Sequence, residues 1–170
     1  MNLTQYQSAA LRTAGTTREY WHRLAVAGMG VAGEAGEVLS EIRKNPGMSE
    51  ALFAEIGDCC WYLAEISSAV GIDMACIPLG VELRGWPITD MGDLLVIRAC
   101  ALCDYLKKIV RGTHVADTER VSLLIGCVLS AIEMIAKRIG TDLPAICEVN
   151  ISKLEARYPN GFPNVKAPSV

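Results

Sequence analysis

Between Asn45-Pro46-Gly47 and Gly71 the apolar residues fall at helical spacing, and this bounded run constrains the fold more than any other feature of the chain. Leu52, Phe53, Ile56, Cys59, Cys60, Leu63 and Ile66 recur at three- and four-residue intervals, which lines one side of an α-helix and neither face of a strand. Ser49 stands where an N-cap would accept from the first turn, and Gly71 where a left-handed residue would stop the helix. A helix is therefore predicted from Glu50 to about Val70. The segment before the break reads as a second long helix, from Glu19 or Tyr20 to Lys44. Gly28, Gly30, Gly33 and Gly36 count against it, each by about 1 kcal/mol relative to alanine. Small residues there would let another helix or a ligand come close.

The rest of the chain follows the same pattern. Thr4 can cap a first helix running to about Ala14, with Tyr6, Ala9, Ala10 and Leu11 on its apolar side and Gly15 at its end. Met74 to Leu83 is a short helical segment bent at Pro78, and Gly85-Trp86-Pro87 is the clearest break. Thr89 or Asp90 opens a long helix from Met91 to Val110, ended by Arg111-Gly112. Asp117 or Thr118 opens another, to Ile139, ended by Gly140. Asp142, with Pro144 in the first turn, opens a last helix to about Arg157, closed by Tyr158-Pro159-Asn160-Gly161. The β-branched residues fall inside helix-period windows, so the predicted class is all-α, a bundle of about five or six helices.

Gly71-Ile72-Asp73-Met74-Ala75-Cys76-Ile77 aligns with Gly140-Thr141-Asp142-Leu143-Pro144-Ala145-Ile146 at an offset of 69. Around it each half reads long helix, loop, long helix, glycine, Asp-capped helix. Two readings stand: an internal duplication, with pseudo-repeats 20–84 and 91–157 inside a domain spanning 1–162 and a tail at 163–170, or two helical hairpins that look alike at this level.

Four acids sit on the two best-defined helices. Glu34 and Glu37 are three apart, seventeen residues follow, and then come Glu55 and Asp58, again three apart. On two helices of a hairpin this places four carboxylates on facing surfaces. Glu34 and Glu37 lie among Ala and Gly, without the Lys and Arg neighbours of an ordinary solvated face, and Glu55 and Asp58 border a core-forming stripe. Crowded carboxylates beside apolar surface take raised pKa values unless a cation intervenes. An all-oxygen ligand set suits a hard cation, Mg²⁺ or Mn²⁺, whose natural use is on phosphate oxygens. At the offset of 69 Glu55 faces Leu124 and Asp58 faces Cys127, and a shifted register pairs only Glu37 with Asp104. A duplicated chain would thus carry one metal site, its second half degenerate.

The residues around these acids resemble a known family. Val31-Ala32-Gly33-Glu34-Ala35-Gly36-Glu37-Val38, with Ala54-Glu55-Ile56-Gly57-Asp58-Cys59-Cys60-Trp61-Tyr62-Leu63-Ala64, is similar to the signature of the MazG-like all-α nucleoside triphosphate pyrophosphohydrolases. Tyr6-Gln7 to Arg12-Thr13-Ala14, and Asn150-Ile151-Ser152-Lys153-Leu154-Glu155-Ala156-Arg157-Tyr158-Pro159-Asn160-Gly161-Phe162, resemble the ends of compact members. The resemblance covers residues 1 to about 77 and about 140 to 162. It implies cleavage of an NTP or dNTP to the monophosphate and pyrophosphate. It also implies Mg²⁺ coordination by Glu34, Glu37, Glu55 and Asp58, and phosphate or nucleotide contacts from Asn150 and Lys153. Residues 80–139 have no counterpart in compact members.

Asn150, Lys153 and Arg157 share one face of the last helix and suit phosphate or ribose, or form its solvated rim. Lys44 either reaches a phosphate or partners the end of its own helix, and Glu41 is either a fifth acid or the partner of Lys44. Trp61 stacks on a base or packs in the core. Cys100 and Cys103 have a zinc-like gap but no second pair, and read as two buried small residues. Glu19-x-x-His22 raises a di-iron bundle, which needs a second such motif; the other histidine, His114, has Arg111 three residues before it.

Composition limits the rest. The net charge of −3 gives no basic face for nucleic acid. No apolar run is long enough for a membrane span, and reduced thiols without a signal segment point to the cytoplasm. The expected protein is a metal-dependent nucleotide pyrophosphohydrolase acting on a nucleoside triphosphate, as a homodimer or an internally duplicated pseudo-dimer. The alternatives are a non-catalytic Mg-nucleotide regulatory module and a structural helical protein whose acids are solvated.

Overall fold

A computed structural model describes residues 1–14, 19–80 and 85–161. Its six α-helices are α1 (Leu3–Ala10), α2 (Tyr20–Lys44), α3 (Glu50–Ala69), α4 (Ile88–Val110), α5 (Thr118–Arg138) and α6 (Leu143–Arg157), and among the described residues there is no strand. The fold is all-α, as the periodicity predicts. The expectations placed on Gly15, Val81 to Arg84 and Phe162 to Val170 lie outside the described residues.

Three caps stand where the sequence puts them. Ser49 accepts from Leu52 N, Asp117 from Arg120 N and Asp142 from Ala145 N, each satisfying a first-turn N–H that the helix itself cannot. The first helix differs. Asn2, not Thr4, is its cap, in a capping box where Asn2 Oδ1 accepts from Gln5 N at 2.9 Å and Gln5 Oε1 accepts from Asn2 N at 3.0 Å. Thr4 lies inside the first turn and donates its hydroxyl to Asp73 at 2.9 Å. The helix also ends early, passing into a 3₁₀ turn at Leu11–Thr13. At the start of α4, Pro87 occupies the N-cap position with φ near −58°, and helix begins at Ile88 rather than at Thr89 or Asp90.

The helical segment expected from Met74 is a single 3₁₀ turn, Met74–Cys76, capped by Asp73. Beyond it the chain is held on α5 instead of coiling. Gly80 N donates to Ser130 Oγ at 2.6 Å, and a Cβ on Gly126 would lie 2.7 Å from the Pro78 carbonyl oxygen. That close backbone crossing needs the glycine.

Helix α2 is the central element, packed on both α3 and α4; α4 also packs on α5, which returns to α3, while α1 and α6 close over α3. Gly28 abuts Leu106, and Gly92 abuts Ile42 and Leu39, so α2 and α4 run antiparallel. The same holds for α2 and α3, where Arg23 pairs with Glu65 at 2.8 Å while Gly30 lies beneath the Tyr62 ring. The core is continuous, with Leu24, Val31, Val38 and Ile42 of α2 buried against Leu52, Ile56, Leu63 and Ile66 of α3, and Leu95, Leu102, Leu106 and Ile109 of α4 completing it. Cys100 corrects the sequence expectation: it is exposed and Cys103 half-buried. The buried face of α4 runs through Ala99 and Leu102, and one residue onward turns about 100° away from it.

Candidate functional site

The hairpin of α2 and α3 brings three of the four acids together. Glu34, Glu37 and Glu55 each offer a carboxylate oxygen, and the three oxygens lie within 4.8 Å of one another. Glu34 and Glu37 come from consecutive turns of one helix and Glu55 from the antiparallel neighbour, so a cation between them would join the two elements. Gly33 and Gly36 flank this pair with open space where their Cβ atoms would be, which keeps that face uncrowded.

Charge accumulates here. The Glu34 carboxyl is pushed from 4.5 to about 7, first by burial, then by the charges of Asp58, Glu37 and Glu55, and it hydrogen-bonds Glu55. Glu55 is also raised, by burial and by Glu37 and Asp58, with Lys153 opposing. Glu65, a buried acid of the same helix, has Arg23 as its ion-pair partner; the hydrogen-bond partner of Glu34 is another acid. A bound cation would remove this conflict.

The fourth acid is held differently. Both carboxylate oxygens of Asp58 lie 2.6 Å from Lys153 Nζ, and Oδ1 also accepts from Asn150 Nδ2 at 3.1 Å. Asn150 is buried and in turn accepts from the Tyr6 hydroxyl at 2.8 Å. A chain of contacts thus runs from α1 through α6 to α3. Gly57 makes room for it, since a Cβ there would fall 2.8 Å from both Cβ and Nδ2 of Asn150. Tyr6, whose hydroxyl is buried and therefore held well above its ordinary pKa, donates to Asn150 as a neutral phenol.

The remaining residues divide. Lys44 Nζ pairs with Glu41 at 2.6 Å, so Glu41 is the partner of Lys44. The Lys44 pKa is raised by that bond and that charge, with smaller contributions from Glu37 and Glu55. The Trp61 indole N–H donates to Ala10 O at 3.1 Å and Thr13 Oγ1 at 2.9 Å, and its ring meets Tyr62 edge-on. It ties α1 to α3, the packing alternative. Arg157 is exposed, with its guanidinium 5.3 Å from the centroid of the Tyr158 ring. Asp104, the acid that a shifted repeat pairs with Glu37, is bonded to Lys107 and lies 2.7 Å from Lys108; those bonds hold its carboxyl low.

No family model, no curated protein and no solved structure matches the chain. The likeness to MazG-like proteins therefore rests on the motif residues alone.

Two contributors were not legible as site residues. Tyr6 reads in the sequence as part of an apolar helix side, and its hydroxyl partner lies 144 positions away. Phe53 reads as core, yet it lines a cavity of about 610 Å³ between the start of α3 and α6, with Met48, Ala54, Val149, Asn150 and Lys153. Its position two residues before Glu55 was the available signal. Among the described residues no helix is long and apolar enough to cross a membrane.

Proposed function

We propose that the chain is a metal-dependent nucleotide pyrophosphohydrolase that cleaves an NTP or dNTP to the monophosphate and pyrophosphate. The observation that carries this reading is the convergence of Glu34, Glu37 and Glu55 from two helices, with Asp58 one turn further on and gripped by Lys153 and Asn150.

The donor set fits a hard divalent cation: all ligands are carboxylate oxygens, and Glu34 is already pushed to about 7 by burial and then by its like-charged neighbours. Glu34, Glu37 and Glu55 would hold Mg²⁺, or Mn²⁺ in its place, and Asp58 would join them once Lys153 turned to a phosphate. The bound ion supplies charge for the phosphate oxygens and lowers the pKa of water. Asn150 keeps Asp58 oriented, because Tyr6 fixes which end of its amide faces the acid. Lys153 offers a mobile positive charge beside the acids, and Lys44 a second at the end of α2. In the reaction a water oxygen bonds to the α-phosphorus, the bond from that phosphorus to the bridging oxygen of the pyrophosphate breaks, and the water's proton passes to a carboxylate.

Incubation with each NTP and dNTP plus Mg²⁺, with pyrophosphate as the readout, tests the proposal. Turnover is expected with at least one nucleotide, and Glu37→Gln and Asp58→Asn are expected to lose at least about a hundredfold. Full activity in both variants, or no turnover with any nucleotide, refutes it; Mg-nucleotide binding without product selects the regulatory alternative. The proposed working unit is a homodimer in the cytoplasm, which sedimentation would report as twice the 18.3 kDa chain mass. A monomer would place the pseudo-dimer within the chain.

A further inference from the structure

The proposed reaction leaves the cavity beside the acid cluster without an occupant. It lies between the start of α3 and the outer face of α6, about 610 Å³ in volume, and its walls are Met48, Phe53, Ala54 and Val149. Met48 and Val149 are large apolar side chains left 59% and 49% exposed at its rim. Ligand pockets of small molecules fall in the range of roughly 300–1,000 Å³, apolar with a few convergent polar groups. Its polar lining is Ser49, Glu50, Asn150 and Lys153, and the last two are the pair that grips Asp58.

That sharing decides the occupant. Lys153 lines the cavity and ends on the acid cluster, so a ligand whose phosphates replace Asp58 on Lys153 has its other end at the cavity. We propose that this cavity takes the nucleobase, with Phe53 as its stacking face and Lys153 at the junction between base and phosphates. The inference rests on the phosphate-binding role proposed above for the acid site. The pocket chemistry suits a base: an aromatic ring and a methionine thioether offer flat, polarizable contact to a π-face. Ser49 Oγ accepts from Leu52 N, and Asn150 is bonded at both ends of its amide. Phe53 and Met48 would hold a base by shape and stacking, and the Glu50 carboxylate and Ser49 hydroxyl on the same lining could meet its hydrogen-bonding edge.

The test is equilibrium binding, with Mg²⁺, of a panel of α,β-methylene NTP and dNTP analogues, which resist cleavage at that bond, beside inorganic tripolyphosphate, which has no base. The wild-type protein is expected to bind at least one analogue about tenfold or more tighter than tripolyphosphate, the scale of one base–aromatic stack. Phe53→Ala and Ala54→Trp, which remove the stacking face and fill the cavity, are expected to abolish most of that excess while tripolyphosphate binds as before. Should Ala54→Trp fail to fold, Val149→Trp on the exposed rim asks the same question. Equal binding of analogues and tripolyphosphate, or an excess that survives the variants, overturns the pocket assignment and leaves the phosphate site standing. If the wild-type protein binds neither kind of ligand, the proposed function falls and this inference falls with it.

Discussion

Glu34 sits half-buried among three other carboxylates, its own pKa pushed from 4.5 to about 7. Between those values the folded chain keeps a proton that the unfolded chain has released. Stability from this source is fully present below 4.5 and is lost as pH rises through about 7. Glu55, raised in the same direction, adds to the slope. The metal-free protein is thus expected to melt at lower temperature as pH rises across this window. Glu34→Gln should flatten the dependence, and saturating Mg²⁺ or Mn²⁺ should raise the melting temperature most at the high-pH end. Calorimetric melts across that range check both; a slope unchanged by Glu34→Gln would remove Glu34 as its source. Gly57 makes a second demand at this scale. A Cβ there meets Asn150 at 2.8 Å, so Gly57→Ala is expected to cost about 1–3 kcal/mol by overpacking and to release Asn150 from Asp58. Urea unfolding measures the first effect. Nothing local in Glu55-Ile56-Gly57-Asp58 announces it, because the constraint comes from a side chain more than ninety positions away.

At the scale of elements, the chain was legible where one residue fixes a helix end. Ser49, Asp117 and Asp142 cap where their chemistry predicts, and Gly71 and Gly140 take the positive φ that ends α3 and α5. Ser49→Ala is expected to cost about 1 kcal/mol, seen as a lower urea midpoint at constant slope. Legibility failed where two polar residues competed for a cap, as Asn2 and Thr4 do, and where a neighbour holds the chain extended, as α5 does to residues 77–80. It failed for the cavity too, whose walls come from the loop before α3, the first turns of α3 and α6. Between α2 and α3 the decisive residue is Gly30, where a Cβ would fall 2.3 Å from the Tyr62 ring. Gly30→Ala must therefore displace that ring or part the helices, which would disturb the spacing of Glu34 from Glu55. Its expected signature is a melting temperature lowered in metal-free buffer and weaker Mn²⁺ binding, whereas Gly33→Ala, into open space, should leave the α2–α3 spacing alone.

Over the whole molecule the two halves share one hydrogen-bond pattern at the ends of their second helices. Ile72 N donates to Ser67 O at 2.8 Å and Thr141 N to Ala136 O at 2.9 Å; Gly71 N donates to Ser68 O and Gly140 N to Lys137 O. Both pairs repeat at the offset of 69. Such endings are common to helices stopped by glycine, so they suit a duplication and an unrelated hairpin alike. The acids do not repeat: Leu124 and Cys127 stand at the places of Glu55 and Asp58, and among the described residues one cluster of acids forms, that of Glu34, Glu37 and Glu55. Its placement against α6, where Asn150 and Lys153 meet Asp58, joins the first half and the last quarter of the sequence in one candidate site. The central claim is that this site cleaves between the α- and β-phosphates. The most direct measurement is phosphorus NMR of the products formed from a nucleoside triphosphate in ¹⁸O-labelled water with Mg²⁺. Nucleoside monophosphate carrying the label, with unlabelled pyrophosphate, is the predicted result; nucleoside diphosphate with labelled orthophosphate, or unchanged substrate across the full nucleotide panel, would contradict it.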